Sequence, residues 1–215
     1  NVMANGKIAM KLDAGDKLVR VRTFAEDADV LLSTRNGKCI RFPVSDVRVF
    51  SGRTSRGVRG IQLAKGDEVI AMSGLDHVQA EVSVRDEYLQ AVNASRRLVG
   101  GDYTDRDEDR ARDGALAEKL ADPVFAAMGA EEEFILTVAR DGFGKRSSAF
   151  EYRISKRGGK GLDSMDLKRD AESATVVASF PVIATDQLVM VSDGGQLIRL
   201  PVDGISFTGR KTRGV

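Results

Sequence analysis

Apolar residues along this chain fall in short runs separated by glycine-bearing turns. Val30-Leu31-Leu32-Ser33-Thr34 leads through Asn36-Gly37 into Cys39-Ile40-Arg41-Phe42, and Pro43 follows. Two such runs, joined by a dipeptide whose residues both tolerate positive φ, predict a β-hairpin. Proline cannot donate to a sheet ladder, so the return strand is expected to stop at Pro43. Residues 58–63 and 68–72, on either side of Lys65-Gly66-Asp67, predict a second strand pair. The pattern then comes back. Phe134-Ile135-Leu136-Thr137-Val138 and the turn Asp141-Gly142-Phe143-Gly144 occupy the same slots. Further on, residues 193–202 echo residues 35–44, with Ile198-Arg199-Leu200-Pro201-Val202 answering Ile40-Arg41-Phe42-Pro43-Val44.

The chain is therefore a repeat protein. A first copy is present as its tail, because residues 6–16 line up with residues 57–67. A rival register pairs Asn5-Gly6-Lys7 with Asn36-Gly37-Lys38; the shared Leu-x-x-Gly-Asp at 12–16 and 63–67 decides against it. The second copy spans about 29–72, the third about 134–180, and the fourth runs from near 187 to Val215. A period of roughly 45–50 residues with four strands per unit is the arithmetic of a propeller. The expected fold is all-β, a propeller-like disc of four-stranded repeats with a partly helical insertion. Residues 1–72 and 131–215 make the blades and residues 73–130 the insertion.

The insertion reads differently from the blades. Residues 84–98 predict a helix, and residues 114–128 a second one interrupted near Pro123. Between them, Gly100-Gly101-Asp102-Tyr103-Thr104-Asp105-Arg106-Asp107-Glu108-Asp109 is too polar to pack and predicts a mobile loop. Charge makes the same division. The formal net charge is +1, yet residues 73–133 hold 15 acidic residues against 7 basic ones. The repeats are basic and the segment between them is acidic. Three readings of that segment stay open: a tolerated surface insertion, a polyanion competing with a ligand for the basic rim, or a contact for another subunit.

The basic charge of the repeats recurs at one slot. Ser51-Gly52-Arg53-Thr54-Ser55-Arg56-Gly57, Ser155-Lys156-Arg157-Gly158-Gly159-Lys160-Gly161 and Thr208-Gly209-Arg210-Lys211-Thr212-Arg213-Gly214 share the form x-x-Arg-x-x-[Arg/Lys]-Gly. Glycine lets a backbone approach a phosphate, and the planar guanidinium fork matches two phosphate oxygens. Repeated around a disc, such turns lay a curved basic track on which a stiff duplex could bend. The candidate DNA-binding residues are Arg53, Arg56, Arg59, Lys156, Arg157, Gly158, Gly159, Lys160, Gly161, Arg210, Lys211 and Arg213, with the strand-borne Lys145 and Arg146. Nothing in the set reads base edges, so binding is expected to be nearly sequence-independent. Arg/Gly turns are also ordinary solvated connectors, which is the competing reading for any single one. The strand-borne Arg35, Lys38, Arg41, Arg153 and Arg199 either widen the track or form structural ion pairs, Arg41 and Arg199 with the following Asp46 or Asp203.

Other chemistries fall away. A single cysteine, Cys39, permits no internal disulfide framework, fits a reducing cytosol and reads as a small core residue. His77 is the only histidine, so no histidine-based metal cluster or dyad exists. Gly158-Gly159-Lys160-Gly161 lacks the spacing of a phosphate-binding P-loop. Asp105, Asp107 and Asp109 alternate like the start of a calcium loop but lack its glycine and distal glutamate. Tyr88, Tyr103 and Tyr152 have no basic or metal-binding company that would mark a nucleophile. No segment is apolar over the length of a membrane span. No catalytic residue, metal or cofactor is expected in this segment, and no membrane partner.

Taken together, Ile40-Arg41-Phe42-Pro43-Val44, Gly52-Arg53-Thr54-Ser55-Arg56-Gly57-Val58-Arg59-Gly60, Ser147-Ser148-Ala149-Phe150-Glu151-Tyr152-Arg153 and Asp193-Gly194-Gly195-Gln196-Leu197-Ile198-Arg199 resemble the C-terminal domain of the DNA gyrase A subunit. The resemblance covers all the repeats. It implies a β-pinwheel whose neighbouring blades exchange strands. It also implies duplex DNA bent around the rim in support of ATP-dependent negative supercoiling. The implied partners are the gyrase B subunit, together with the rest of the gyrase A polypeptide, in the bacterial cytoplasm at the nucleoid. The cleavage tyrosine and ATPase site belong to other parts of that holoenzyme. The family's Gln-Arg-Arg-Gly-Gly-[Arg/Lys]-Gly box has its nearest match at residues 155–161, departing at Ser155 and Lys156. Two other readings are kept: the corresponding disc of topoisomerase IV, which binds DNA without strong wrapping, and a propeller serving as a protein-interaction platform.

Overall fold

The computed structural model describes residues 4, 6–100, 107–167 and 174–215. The hairpin expected across Asn36-Gly37 joins β1 (Asp29–Thr34) to β2 (Lys38–Pro43), with Leu31 opposite Arg41 and Val30 opposite Phe42. β3 (Val69–Leu75) lies along the other edge of β1, so the strand continues past residue 72. Residues 58–63 do not form the strand expected of them. Their backbone groups are taken by the next repeat instead: Gln62 N–H donates to the Gly159 carbonyl at 2.8 Å, and the Gly60 carbonyl accepts from Gly158 N–H at 2.6 Å.

The insertion supplies α1 (Val82–Gly100), α2 (Asp107–Glu118) and α3 (Pro123–Ala130). The break before α3 falls at the expected place. Pro123 opens the helix, where a missing N–H costs nothing, and the Asp122 carboxylate caps Val124 N–H at 2.8 Å. α2 starts well before the expected residue 114. The expected loop at 100–109 falls largely on residues 101–106, outside the described residues, and with it Tyr103 and Asp105.

These helices are docked on the blades. Tyr88, Ala91 and Ala94 form the buried stripe of α1, at helical spacing. The Tyr88 ring meets Phe125 and Phe150 edge-on, with centroids 5.9 and 5.5 Å away. Arg97 holds the buried Asp113 carboxylate through two 2.7 Å bonds, tying α1 to α2. Arg96 reaches Glu132 at 2.7 Å and lies 4.4 Å from the Phe207 ring centroid, so α1 also grips the fourth repeat.

The third repeat begins with β4 (Phe134–Ala139) and β5 (Gly144–Ser148). Its next strand, β6 (Leu162–Asp163), leaves the repeat and pairs with β2, giving the second blade the order β3-β1-β2-β6. β7 (Val176–Val182) stays and completes β5-β4-β7. The same exchange recurs one repeat on: Gly144 and Val215 trade backbone bonds of 2.9 and 3.1 Å on the free edge of β5. β8 (Gln187–Val191) and β9 (Leu197–Pro201) form the fourth hairpin. Among the described residues no sheet closes on itself; the blades are separate antiparallel sheets linked by exchanged segments.

The blades pack face to face. Leu31, Cys39 and Leu75 of one meet Ile135, Ala149 and Tyr152 of the next. Cys39 is a core residue, and burial pushes its thiol up to about 12. At this junction Arg41 is buried as an ion pair, but with the preceding Asp29, 2.7 Å away, and not with Asp46. The hairpin register explains the choice: Asp29 lies opposite Pro43 at the same end of the ladder, whereas Asp46 lies beyond the strand. Arg41 also donates to the carbonyls of Ala149 and Asp76, and His77 Nδ1 sits 2.8 Å from the second Asp29 oxygen. Arg199, in the same slot of the fourth repeat, is exposed.

Candidate nucleic-acid interface

Each of the three basic turns ends on a glycine in the left-handed region. Gly57, Gly161 and Gly214 all have positive φ, at 79°, 73° and 90°. At Gly161 a Cβ would stand 2.3 Å from the Cys39 carbonyl oxygen, and at Gly214 2.3 Å from that of Gly144. Glycine is needed at these two positions because each turn crosses tightly over the previous blade's second strand. Gly158 has its N–H committed to Gly60, and Gly159 lies against Ile40. These glycines serve the contact between repeats, where the sequence suggested the cradling of a phosphate.

The first arginine of the turn is likewise turned inward in two copies. Arg157 donates from Nε to the Asp46 carbonyl at 3.1 Å and from Nη1 to the Arg59 carbonyl. Arg210 donates from Nε to the Glu151 carbonyl at 3.0 Å and from Nη1 to the Asp163 carbonyl. Asp46 and Glu151 are equivalent residues of successive repeats, as are Arg59 and Asp163. The recurrent arginine is thus a clamp from each repeat onto its predecessor. Arg53, at the same slot in the second repeat, is exposed.

Lys145 and Arg146 are not on the surface, and a phosphate in solvent cannot reach them. Lys145 occupies the slot filled by Ile40 one blade earlier and is fully buried. Its ammonium donates to the carbonyls of Gly209 at 2.9 Å, Thr212 at 2.7 Å and Arg210. Burial lowers its pKa to about 8, with the Glu151 carboxylate opposing the shift. Arg146 donates to the carbonyls of Ile205 and Asp203 and lies 4.1 Å from the Phe207 centroid. Strand alternation left both residues' direction open; the exchanged segment of the fourth repeat covers that side of β5.

Of the candidate residues on the basic turns and just after them, those facing outward are Arg53, Arg56 and Arg59 in the second repeat, Lys156 and Lys160 in the third, and Lys211 in the fourth. Arg56 stands 3.3 Å from the exposed Asp13 carboxylate, a pair that solvent screens. Arg213 is half-buried, bonded to Asp141 at 2.6 Å and stacked 3.7 Å over Phe143. The candidate interface is a series of solvent-facing cations, and the turns of the third and fourth repeats are held from inside by Arg157, Arg210 and Lys145. Sequence reasoning did not place α1 beside the fourth turn, and no local signal puts Arg85 there.

Antiparallel blades that lend a strand or turn to their neighbours define a propeller-like repeat fold. The chain belongs to the family described as DNA gyrase C-terminal domain, beta-propeller, which it matches over residues 3–25, 28–74, 133–181 and 186–215. The matched segments leave out residues 75–132, where the three helices lie. The DNA gyrase A subunit of Granulibacter bethesdensis is 46% identical over 222 residues, covering all of this chain and 24% of that protein. The corresponding protein of Rickettsia conorii is 42% identical over 215 residues, again covering all of this chain and 23% of the relative. The chain thus spans about a quarter of the length of these relatives. Among solved structures, a DNA gyrase A C-terminal domain superposes with a TM-score of 0.65 at 21% identity, over 98% of this chain and 53% of that one. The C-terminal domain of a DNA topoisomerase IV superposes with a TM-score of 0.66 at 15% identity, over 96% of this chain and 47% of that one.

Proposed function

We propose that this domain binds duplex DNA through its phosphates, without reading sequence, and bends it along the basic turns. It does so within a gyrase A polypeptide, supporting ATP-dependent negative supercoiling with the rest of that polypeptide and with the gyrase B subunit. The observation that carries the reading is the recurrence of outward cations on the basic turns, two of which are held from inside by Arg157, Arg210 and Lys145. A phosphate track needs charges at fixed spacing, and these clamps fix the backbone that bears them. Each neutralised phosphate releases counterions, so affinity comes from many weak contacts in register. Catalytic roles are assigned to other parts of the holoenzyme. A topoisomerase IV-type disc would share the fold; the gyrase A relatives favour the gyrase assignment.

The test is affinity for a long and a short duplex across a salt series. A steep salt dependence with a clear preference for the long duplex supports several blades on one bent DNA. Weak binding that ignores length assigns the domain to a protein partner instead.

A further inference from the structure

Between the first turn of α1 and the basic turn of the fourth repeat lies an open cavity of about 510 Å³. Its walls come from the second blade, the third repeat, the fourth turn and the insertion, and its lining is predominantly polar. Five cations face three carboxylates there. Lys38 is paired with Asp163. Arg85, in the first turn of α1, is spent on its neighbour Asp86, with Nη2 2.8 Å and Nε 3.2 Å from one carboxylate oxygen. Arg210 clamps the carbonyls of Glu151 and Asp163, while the Glu151 carboxylate accepts Arg210 N–H. That leaves Arg153 and Lys211, both exposed and neither in an ion pair among the described residues. The cavity carries a surplus of two positive charges, and hydrogen bonding and charge from Lys38, then Arg210 and Lys211, hold the Asp163 carboxyl below its usual range.

The neighbouring junction lacks the equivalent pair of cations, although Arg22, Arg53 and Arg157 line a more apolar cavity there. Arg48, equivalent to Arg153, is stacked 4.4 Å over Phe50, and Gly158 stands where Lys211 would be. Arg153 and Lys211 come together only at the junction that the insertion adjoins, where α1 supplies one wall of the cavity.

We propose that this cavity holds a phosphate of the DNA backbone, with Arg153 and Lys211 as its ligands and the first turn of α1 as its far wall. The acidic insertion then belongs to the DNA path and is not a competitor for it. This rests on the reading of the domain as a duplex binder, and the experiment separates the two.

Duplex affinity is measured across a salt series for this chain, for the double variant Arg153→Gln/Lys211→Gln, and for Asp86→Asn, which releases Arg85 toward the cavity. The double variant should lose about tenfold in affinity at low salt, and its log–log salt slope should fall by about 0.9 for each phosphate it no longer holds. Asp86→Asn should bind about two- to threefold more tightly. Unchanged affinity and slope in the double variant, with the parent chain binding normally, overturns the site while leaving the domain's function standing. Failure of the parent to bind duplex at low salt sinks the DNA reading itself. A final arm uses inorganic phosphate at constant ionic strength. Protection of Lys211 from acylation by phosphate, with no change in DNA binding in the double variant, marks a free-anion site and also overturns the proposal. The substituted side chains lie at the surface, so a thermal melt matching the parent's controls for folding.

Discussion

Arg210 and Glu151 hold each other twice. The arginine's Nε donates to the Glu151 carbonyl at 3.0 Å, and the Glu151 carboxylate accepts the arginine's own backbone N–H. Two residues from successive repeats are locked through main chain and side chain at once. Arg157 makes the corresponding reach to the Asp46 carbonyl, so the side-chain half of the lock recurs from repeat to repeat.

Removing the clamp should cost stability and only indirectly affect DNA. Arg157→Ala deprives two carbonyls of their donor, and each charged hydrogen bond of this kind is worth about 1.5–3 kcal/mol. Urea denaturation should show a loss of about 2–3 kcal/mol, reduced by the partial exposure of the side chain. Arg53→Ala, at the same slot but exposed, should melt within about 0.5 kcal/mol of the parent and lose duplex affinity instead. Equal destabilisation of both variants would contradict the division between clamp and track.

Lys145 should be more sensitive still. Lys145→Met fits the space but leaves the carbonyls of Gly209, Arg210 and Thr212 without their shared donor. About 3 kcal/mol of stability should be lost, with the fourth turn loosened first and seen as faster amide exchange at residues 209–214. The pH dependence has a definite sign. The buried ammonium has its pKa lowered to about 8 from an ordinary 10.5, so the unfolded chain binds this proton more tightly than the folded one. Stability from this group therefore rises as pH climbs from about 8 toward 10.5, and is lost again as pH falls back to about 8. The parent should gain on Lys145→Met across that window; parallel curves would mean the lysine is not buried as described.

The insertion should behave as a docked element. Arg96→Ala removes the cationic partner of Glu132, whose side chain is 4% exposed and keeps only the Tyr88 hydroxyl as donor, together with the stacking over Phe207. Leaving a buried carboxylate without its countercharge costs about 3 kcal/mol, and α1 should become a site of early proteolytic cleavage. Intact α1 at parental rates in limited proteolysis would show that the helices do not depend on this contact.

Most of the repeat grammar was readable in the chain. Asn36-Gly37 places a hairpin because a tight turn demands residues that tolerate positive φ, and Pro43 ends β2 because proline has no N–H. Residues 12–16 and 63–67 share a register, and both copies carry the same turn, with Asp16 N–H on Asp13 and Asp67 N–H on Ala64, each at 3.1 Å. Pro123 breaks the helical segment for the same local reason.

What local pattern leaves undetermined is direction and partnership. Residues 58–63 have the composition of a strand, but their hydrogen bonds go to the turn of the following repeat. Arg157 and Arg210 read in sequence like any solvated Arg/Gly turn, yet both are clamps, because the preceding blade brings carbonyls to them. Lys145 sits where Ile40 sits one repeat earlier, and its charge is tolerated only because Gly209, Arg210 and Thr212 bring three carbonyls to it. By itself, the sequence determined the repeats, the turns and the residues that end each strand, because those follow from backbone conformations a few residues long. The tertiary structure alone decided which cations are spent on the fold and which remain for a ligand, because burial and pairing are set by neighbours that strand exchange and helix docking bring from distant parts of the chain.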